Sequence, residues 1–127
     1  MKLYFEQLDE DASGQLHPVP QDYKIQALKT FKRDAKRLQL TKEDFIELEQ
    51  ELKSRAPKAH LGNSIFKFEW YPSRYNQGKK EARVIYIELT NDKIAWLVNI
   101  YKKNEKSDLT QKELKKLTII SKELRGR

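Results

Sequence analysis

Between Ser64 and Leu109 apolar and polar side chains alternate in three short runs. A strand sends successive side chains to opposite faces, so Phe66, Phe68 and Trp70 share one face. Lys67 and Glu69 then share the other, with Ile65 and Tyr71. The run Ala82 to Leu89 is β-branched and aromatic, and Thr90-Asn91-Asp92 after it supplies turn residues. Ile94 to Lys102 follows as a third strand, and the second and third are expected to pair as an antiparallel hairpin.

Outside this stretch the apolar period changes from two to about three and a half. Tyr23 to Leu28 is a candidate first strand, and Thr30 is expected to cap a helix through Leu38 with Phe31, Ala35 and Leu38 on one face. Lys32, Arg33, Lys36 and Arg37 form its other face, open to a phosphate backbone or simply solvated. Thr41 with Asp44 has capping-box spacing and opens a second helix, with Phe45, Leu48 and Leu52 at helical spacing and an end near Arg55, ahead of Pro57. Thr110 with Glu113 repeats that signature. It predicts a last helix over 111–125 with Leu114, Leu117, Ile120 and Leu124 inward, stopped by Gly126. The element order is β, α, α, β, β, β, α. The fold class is therefore α+β, a small antiparallel sheet covered by two N-terminal helices plus a C-terminal helix.

The chain of 127 residues suits one domain. Residues 1–20 stand apart as an acidic arm: Lys2 to Leu8 could add a short strand, and His17-Pro18-Val19-Pro20 favours an extended linker into the domain at 21–127. Cysteine is absent, which removes disulfides, thiolate metal sites and thiol catalysis. The chain has no apolar run of signal or membrane-spanning length, so a soluble, cytoplasmic protein with no membrane partner is expected. No His/Asp/Glu cluster has metal-ligand spacing, and no metal or other cofactor is expected.

Charge changes the picture more than composition does. The total is +7, but residues 57–127 carry sixteen basic and eight acidic residues, while residues 1–20 carry one Lys against four acids. The positive field thus belongs to the sheet and the last helix, and a polyanion such as nucleic acid is the partner it favours. Lys67, Arg74, Lys79, Lys80, Arg83, Lys102, Lys103 and Lys106 all lie on the strands or the loops between them.

The element order, Arg83-Val84-Ile85-Tyr86, and Trp96 through Leu109 with the motif IYKKNEKSDLTQKELKKL resemble the RelE/HigB toxins of type II toxin–antitoxin systems. The segment TFKRDAKRL at 30–38 is similar to the family's first helix. The resemblance covers residues 22–124. It implies a metal-independent endoribonuclease (an mRNA interferase) that cuts mRNA on the ribosome and is restrained by a cognate antitoxin. The implied chemistry is attack of a ribose 2′-OH on the adjacent phosphate, assisted by scattered basic residues rather than a histidine pair. The two histidines here, His17 and His60, lie outside the predicted strands.

Carried over by position, Lys67 matches a functional lysine and Arg83 the phosphate-binding arginine, a guanidinium that can grip two oxygens at once. Glu69 stands where RelE proper has a second lysine, and serves either as general base or to neutralise Lys67. The catalytic set is therefore Lys67, Arg83 and Glu69. The expected RNA contacts are Arg74, Lys79, Lys80, Tyr101, Lys102, Lys103 and Lys106. Each has a plainer alternative: Arg83 as a strand-end partner of Glu81 or Glu69, Lys67 as a surface lysine, Tyr101 and Tyr86 as packing. Thr110 falls where RelE proper has a catalytic tyrosine, so none is carried over there. Two other functions stay open: a ParE-like toxin that poisons DNA gyrase by binding, and a non-catalytic RNA-binding module of α-β-β-β-α order.

Overall fold

The computed structural model describes residues 16–76, 80–106 and 108–126. Among the described residues five strands form one sheet: β1 (Lys24–Ala27), β2 (Ala59–His60), β3 (Ile65–Trp70), β4 (Ala82–Leu89) and β5 (Ile94–Lys102). Four helices accompany them among these residues: α1 (Lys29–Arg37), α2 (Lys42–Ser54), the single turn α3 (Ser73–Asn76) and α4 (Gln111–Arg125). The strand order across the sheet is β1-β5-β4-β3-β2.

The predicted hairpin is present, with Ala82 opposite Lys102 and Leu89 opposite Ile94 in antiparallel register. One expectation needs correcting, because the sheet is not antiparallel throughout. β1 runs parallel to β5, with Lys24 beside Ile94 and Ala27 beside Leu97. Parallel neighbours need a long crossover, and here it is made by everything between the first strand and the last. The register slips between Ile85 and Tyr86, which face Asn99 and Leu97. Val98 is the extra residue, so β5 carries a bulge, a feature that redirects the side chains beyond it.

Alternation in β3 and β4 then fills two cores rather than one. Phe68, Trp70, Val84 and Tyr86 pack with Phe31, Ala35, Leu48 and Leu52 of α1 and α2. Ile65, Ile85, Ile87 and Val98 pack on the other side with Leu117 and Leu124 of α4. Helices thus cover much of both faces of the sheet.

The caps hold this arrangement. Asp44 N donates to Thr41 Oγ1 at 3.2 Å and Thr41 N to Asp44 Oδ2 at 2.8 Å, and Thr110 with Glu113 repeats the pattern. Such reciprocal bonds satisfy amides that the first helical turn leaves open. The far end of α4 is fixed by buried Ser121, whose hydroxyl donates to Asn63 O. Thr30, expected as a cap, sits inside α1 instead, and Leu28 occupies the cap position without a side-chain bond. The Thr30 hydroxyl donates to Val98 O at 2.5 Å, a tertiary partner that wins over the local one.

At the N-terminal side, Val19 is buried and its N–H donates to Leu52 O at 2.8 Å, so this part of the expected linker is packed on the core. The expected strand over Lys2 to Leu8 lies outside the described residues, as does Lys79.

Candidate functional site

Three strands place three polar side chains in one row on the α4 side of the sheet. Glu69 of β3 faces Arg83 of β4, and Arg83 faces Tyr101 of β5. Lys67 lies two residues before Glu69 and therefore on the same face. The chain after β5 returns over this row, and its charges meet those of the strands.

Each lysine of the group has a carboxylate partner. Lys67 Nζ lies 3.2 Å from Asp108 Oδ2, with the lysine side chain only 14% exposed. Lys103 Nζ lies 2.8 Å from Glu69 Oε2. Lys106 pairs with Glu113 and stands 5.4 Å from the centre of the Tyr101 ring. Glu69 therefore does not neutralise Lys67, as its spacing allowed; its partner is Lys103, and Asp108 serves Lys67.

The charges act on one another across this group. The Lys103 hydrogen bond, with the fields of Lys58 and Arg83, holds the Glu69 carboxyl below the usual range against the opposing effect of burial. Asp108 is lowered first by the Leu109 N–H that it accepts, then by Lys67 and Arg83. Glu113 is lowered by Lys106 and the Thr110 N–H. Burial pushes the Tyr101 phenol up to about 12, with Asp108 and Glu113 adding to the rise and Arg83 opposing it. Arg83 is thus felt by Glu69, Asp108 and Tyr101 alike, which places its guanidinium at the electrostatic centre of the group.

Of the residues singled out in the sequence, the fold gathers Lys67, Glu69, Arg83, Tyr101, Lys103 and Lys106 here. Others lie elsewhere. Arg74 makes a two-pronged pair with Asp44 of α2, at 2.9 and 2.7 Å, and donates to Gln39 O at 3.2 Å. Asp44 is buried, and the Arg74 bond holds its carboxyl low. Lys102 points to the other face, 5.4 Å from the Tyr71 ring, and Lys80 is exposed before β4. Tyr86 is buried in the α1/α2 core.

Sequence reasoning passed over Asp108 and Glu113 as members of this group. Glu113 had a sufficient local role as a capping residue, and Asp108 sits in the quoted motif without any local sign of its partner 41 residues away. Among the described residues no group of three or more His, Asp or Glu side chains is placed to hold a metal ion, and no helix is long and apolar enough to cross a membrane.

The structure is thus a small α+β domain with half-buried arginine and lysine side chains gathered near one end of its sheet. The particular family is defined by sequence. The family model described as the RelE toxin of the RelE / RelB toxin-antitoxin system matches residues 23–127, and the chain belongs to that family. Among solved structures it is similar to a mutant of the E. coli toxin RelE in the free state, with 15% identity, a TM-score of 0.44, and coverage of 67% of this chain and 87% of that one. No curated protein matches it in sequence.

Proposed function

We propose that this toxin is a metal-independent endoribonuclease that cuts mRNA, with the ribosome presenting the substrate and a cognate antitoxin holding the toxin in check. The observation that carries the reading is the convergence of Lys67, Arg83, Lys103 and Lys106, the three lysines each paired with a carboxylate (Asp108, Glu69 and Glu113), at one end of the β3-β4-β5 face.

The reaction assigns a role to each. The ribose 2′ oxygen attacks the adjacent phosphorus, the 5′ oxygen leaves, and the products are a 2′,3′-cyclic phosphate and a 5′-hydroxyl. Arg83 holds the non-bridging oxygens, where negative charge grows in the phosphorane. Glu69, ionised beside Lys103, accepts the 2′ proton, and Lys67 supplies a proton to the leaving oxygen. A carboxylate held below its usual range is a weak base. The larger share of the rate therefore falls to fixed positive charge, which is the usual order of importance for such a step. Lys103 and Lys106 then grip flanking phosphates. Arg74, Lys80 and Lys102 lie outside this group, and they and Lys79 are left with only a screened attraction for the RNA.

Overexpression with primer-extension mapping of cellular mRNA tests the reading. Wild-type toxin should arrest growth and leave cuts at codon boundaries; Arg83→Ala should do neither while keeping its melting temperature and antitoxin binding. Loss of folding in Arg83→Ala would make the arginine structural. Intact transcripts with damaged DNA would instead support gyrase poisoning.

A further inference from the structure

Beyond Leu97, β5 runs past the end of β1, and α1 covers the edge left open. Asp34 Oδ2 accepts from Asn99 Nδ2 and from Ile100 N, both at 3.2 Å. Between α1 and α4, over this part of β5, lies a cleft of about 610 Å³. Its floor is apolar, with Val98, Leu117 and Ile120, and its rim is ionic. Sites for small organic ligands commonly hold roughly 300–1,000 Å³ with a few placed polar groups on apolar walls.

Tyr101 forms the wall shared by this cleft and the cation group. It is 7% exposed, and its hydroxyl finds no hydrogen-bond partner among the described residues. A buried phenol ordinarily has one. Asp34, Glu105 and Glu113 also line the cleft. Arg33, Arg37, Lys106 and Lys116 stand beside them, and each carboxylate is already engaged, Asp34 by Asn99 and Ile100, Glu105 by Arg37 and Glu113 by Lys106. With the rim charges paired among themselves, the apolar floor and the unpartnered Tyr101 hydroxyl are what a ligand meets, and they fit a flat, uncharged ring with a polar edge. The phosphates attached to it fit the cations outside.

We infer that the cleft between α1 and α4 receives the base of the nucleotide next to the linkage held at Arg83, with the Tyr101 hydroxyl bonded to the edge of that base. The inference rests on the nuclease reading and assigns it a base-recognition subsite. Tyr101, expected from sequence as an RNA contact, is then a specificity residue that reads a base edge.

The test uses the adenine ribotrinucleotide methylated at every 2′ oxygen, which cannot be cut, and counterparts lacking one base at each position in turn. Affinities are measured for wild type and Tyr101→Phe at fixed salt. Losing the base at one position should weaken wild-type binding. Tyr101→Phe should bind the complete trinucleotide about 5- to 10-fold more weakly, as expected for one lost hydrogen bond. It should bind that one abasic counterpart as the wild type does. Equal binding of the complete trinucleotide by both proteins, or equal binding of every probe by the wild type, overturns the subsite.

Should Tyr101→Phe fold poorly, amide resonances of Val98, Leu117 and Ile120 in the wild type decide the matter. They must move with the complete trinucleotide and stay with that abasic form; unmoved amides overturn the inference. Uncut transcripts alongside this binding pattern would sink the nuclease reading and keep the subsite.

Discussion

The Lys67 ammonium lies 3.2 Å from the Asp108 carboxylate, which ties the segment after β5 down onto the face of β3. In the free toxin this carboxylate occupies ground that a phosphate would need. The same holds for Glu69 on Lys103 and Glu113 on Lys106. Under the proposed function, RNA binding would be an exchange of anions, with phosphates replacing carboxylates on cations already held in place.

Asp108→Asn should consequently strengthen binding of single-stranded RNA. Exposed ion pairs contribute about 0.2–1 kcal/mol, which corresponds to a gain of roughly 1.5- to 5-fold in affinity once that competition is gone. Affinity should also fall with salt, with a log–log slope of about −0.7 per phosphate engaged. Fluorescence anisotropy over a salt series measures both, and weaker binding by Asp108→Asn or a flat salt response would refute the exchange.

Asp34 is predicted to be a stability residue despite its place on a basic helix. It accepts from the Ile100 amide where β5 has run past β1 and has no strand on that side. Asp34→Ala leaves that donor and the Asn99 amide without their acceptor, at a cost of about 1–3 kcal/mol. Urea denaturation should show a lower midpoint with an unchanged slope. An unshifted midpoint would mean that the strand edge does not depend on this carboxylate.

Glu88 gives a pH-dependent effect of opposite sign to the site carboxylates. Burial raises its carboxyl pKa. A folded-state value above the unfolded one means that the folded protein holds this proton more tightly, so this contribution grows as pH falls from neutrality and is complete below the ordinary glutamate value. At neutral pH the charged form is the destabilising one. Glu88→Gln should therefore raise the melting temperature more at about pH 7 than at about pH 5. A gain equal at both, or larger at the lower pH, would contradict a half-buried, reluctant carboxylate.

How much of this was legible beforehand depended on how far apart the interacting residues lie. Thr41 with Asp44 and Thr110 with Glu113 could be read directly, because a capping box is complete within four residues. The Ala82–Leu89 and Ile94–Lys102 hairpin was readable for the same reason, its turn being encoded between its strands. Thr30 shows the limit: as a local signal it reads as a cap, yet its hydroxyl serves Val98, 68 residues on.

The site divides in the same way. Alternation alone put Lys67 and Glu69 on one face, and the family motif marked Arg83 and the lysines after β5. Nothing local could show that Asp108, and not Glu69, meets Lys67, or that Arg74 is held by Asp44 away from the cluster. The parallel pairing of β1 with β5, and the cleft that α1 and α4 leave beyond it, also depend on elements separated by most of the chain. The amino-acid order by itself settled the three longer helices, four of the five strands and which residues carry charge, since those follow from side-chain period and backbone capping over a few residues; the two-residue strand Ala59–His60, which holds His60, and the turn Ser73–Asn76 are too short to leave a period. Which charges neutralise one another, and where a hollow remains, were decided only when distant strands packed, because Coulomb energy and excluded volume depend on distance in space and not along the chain.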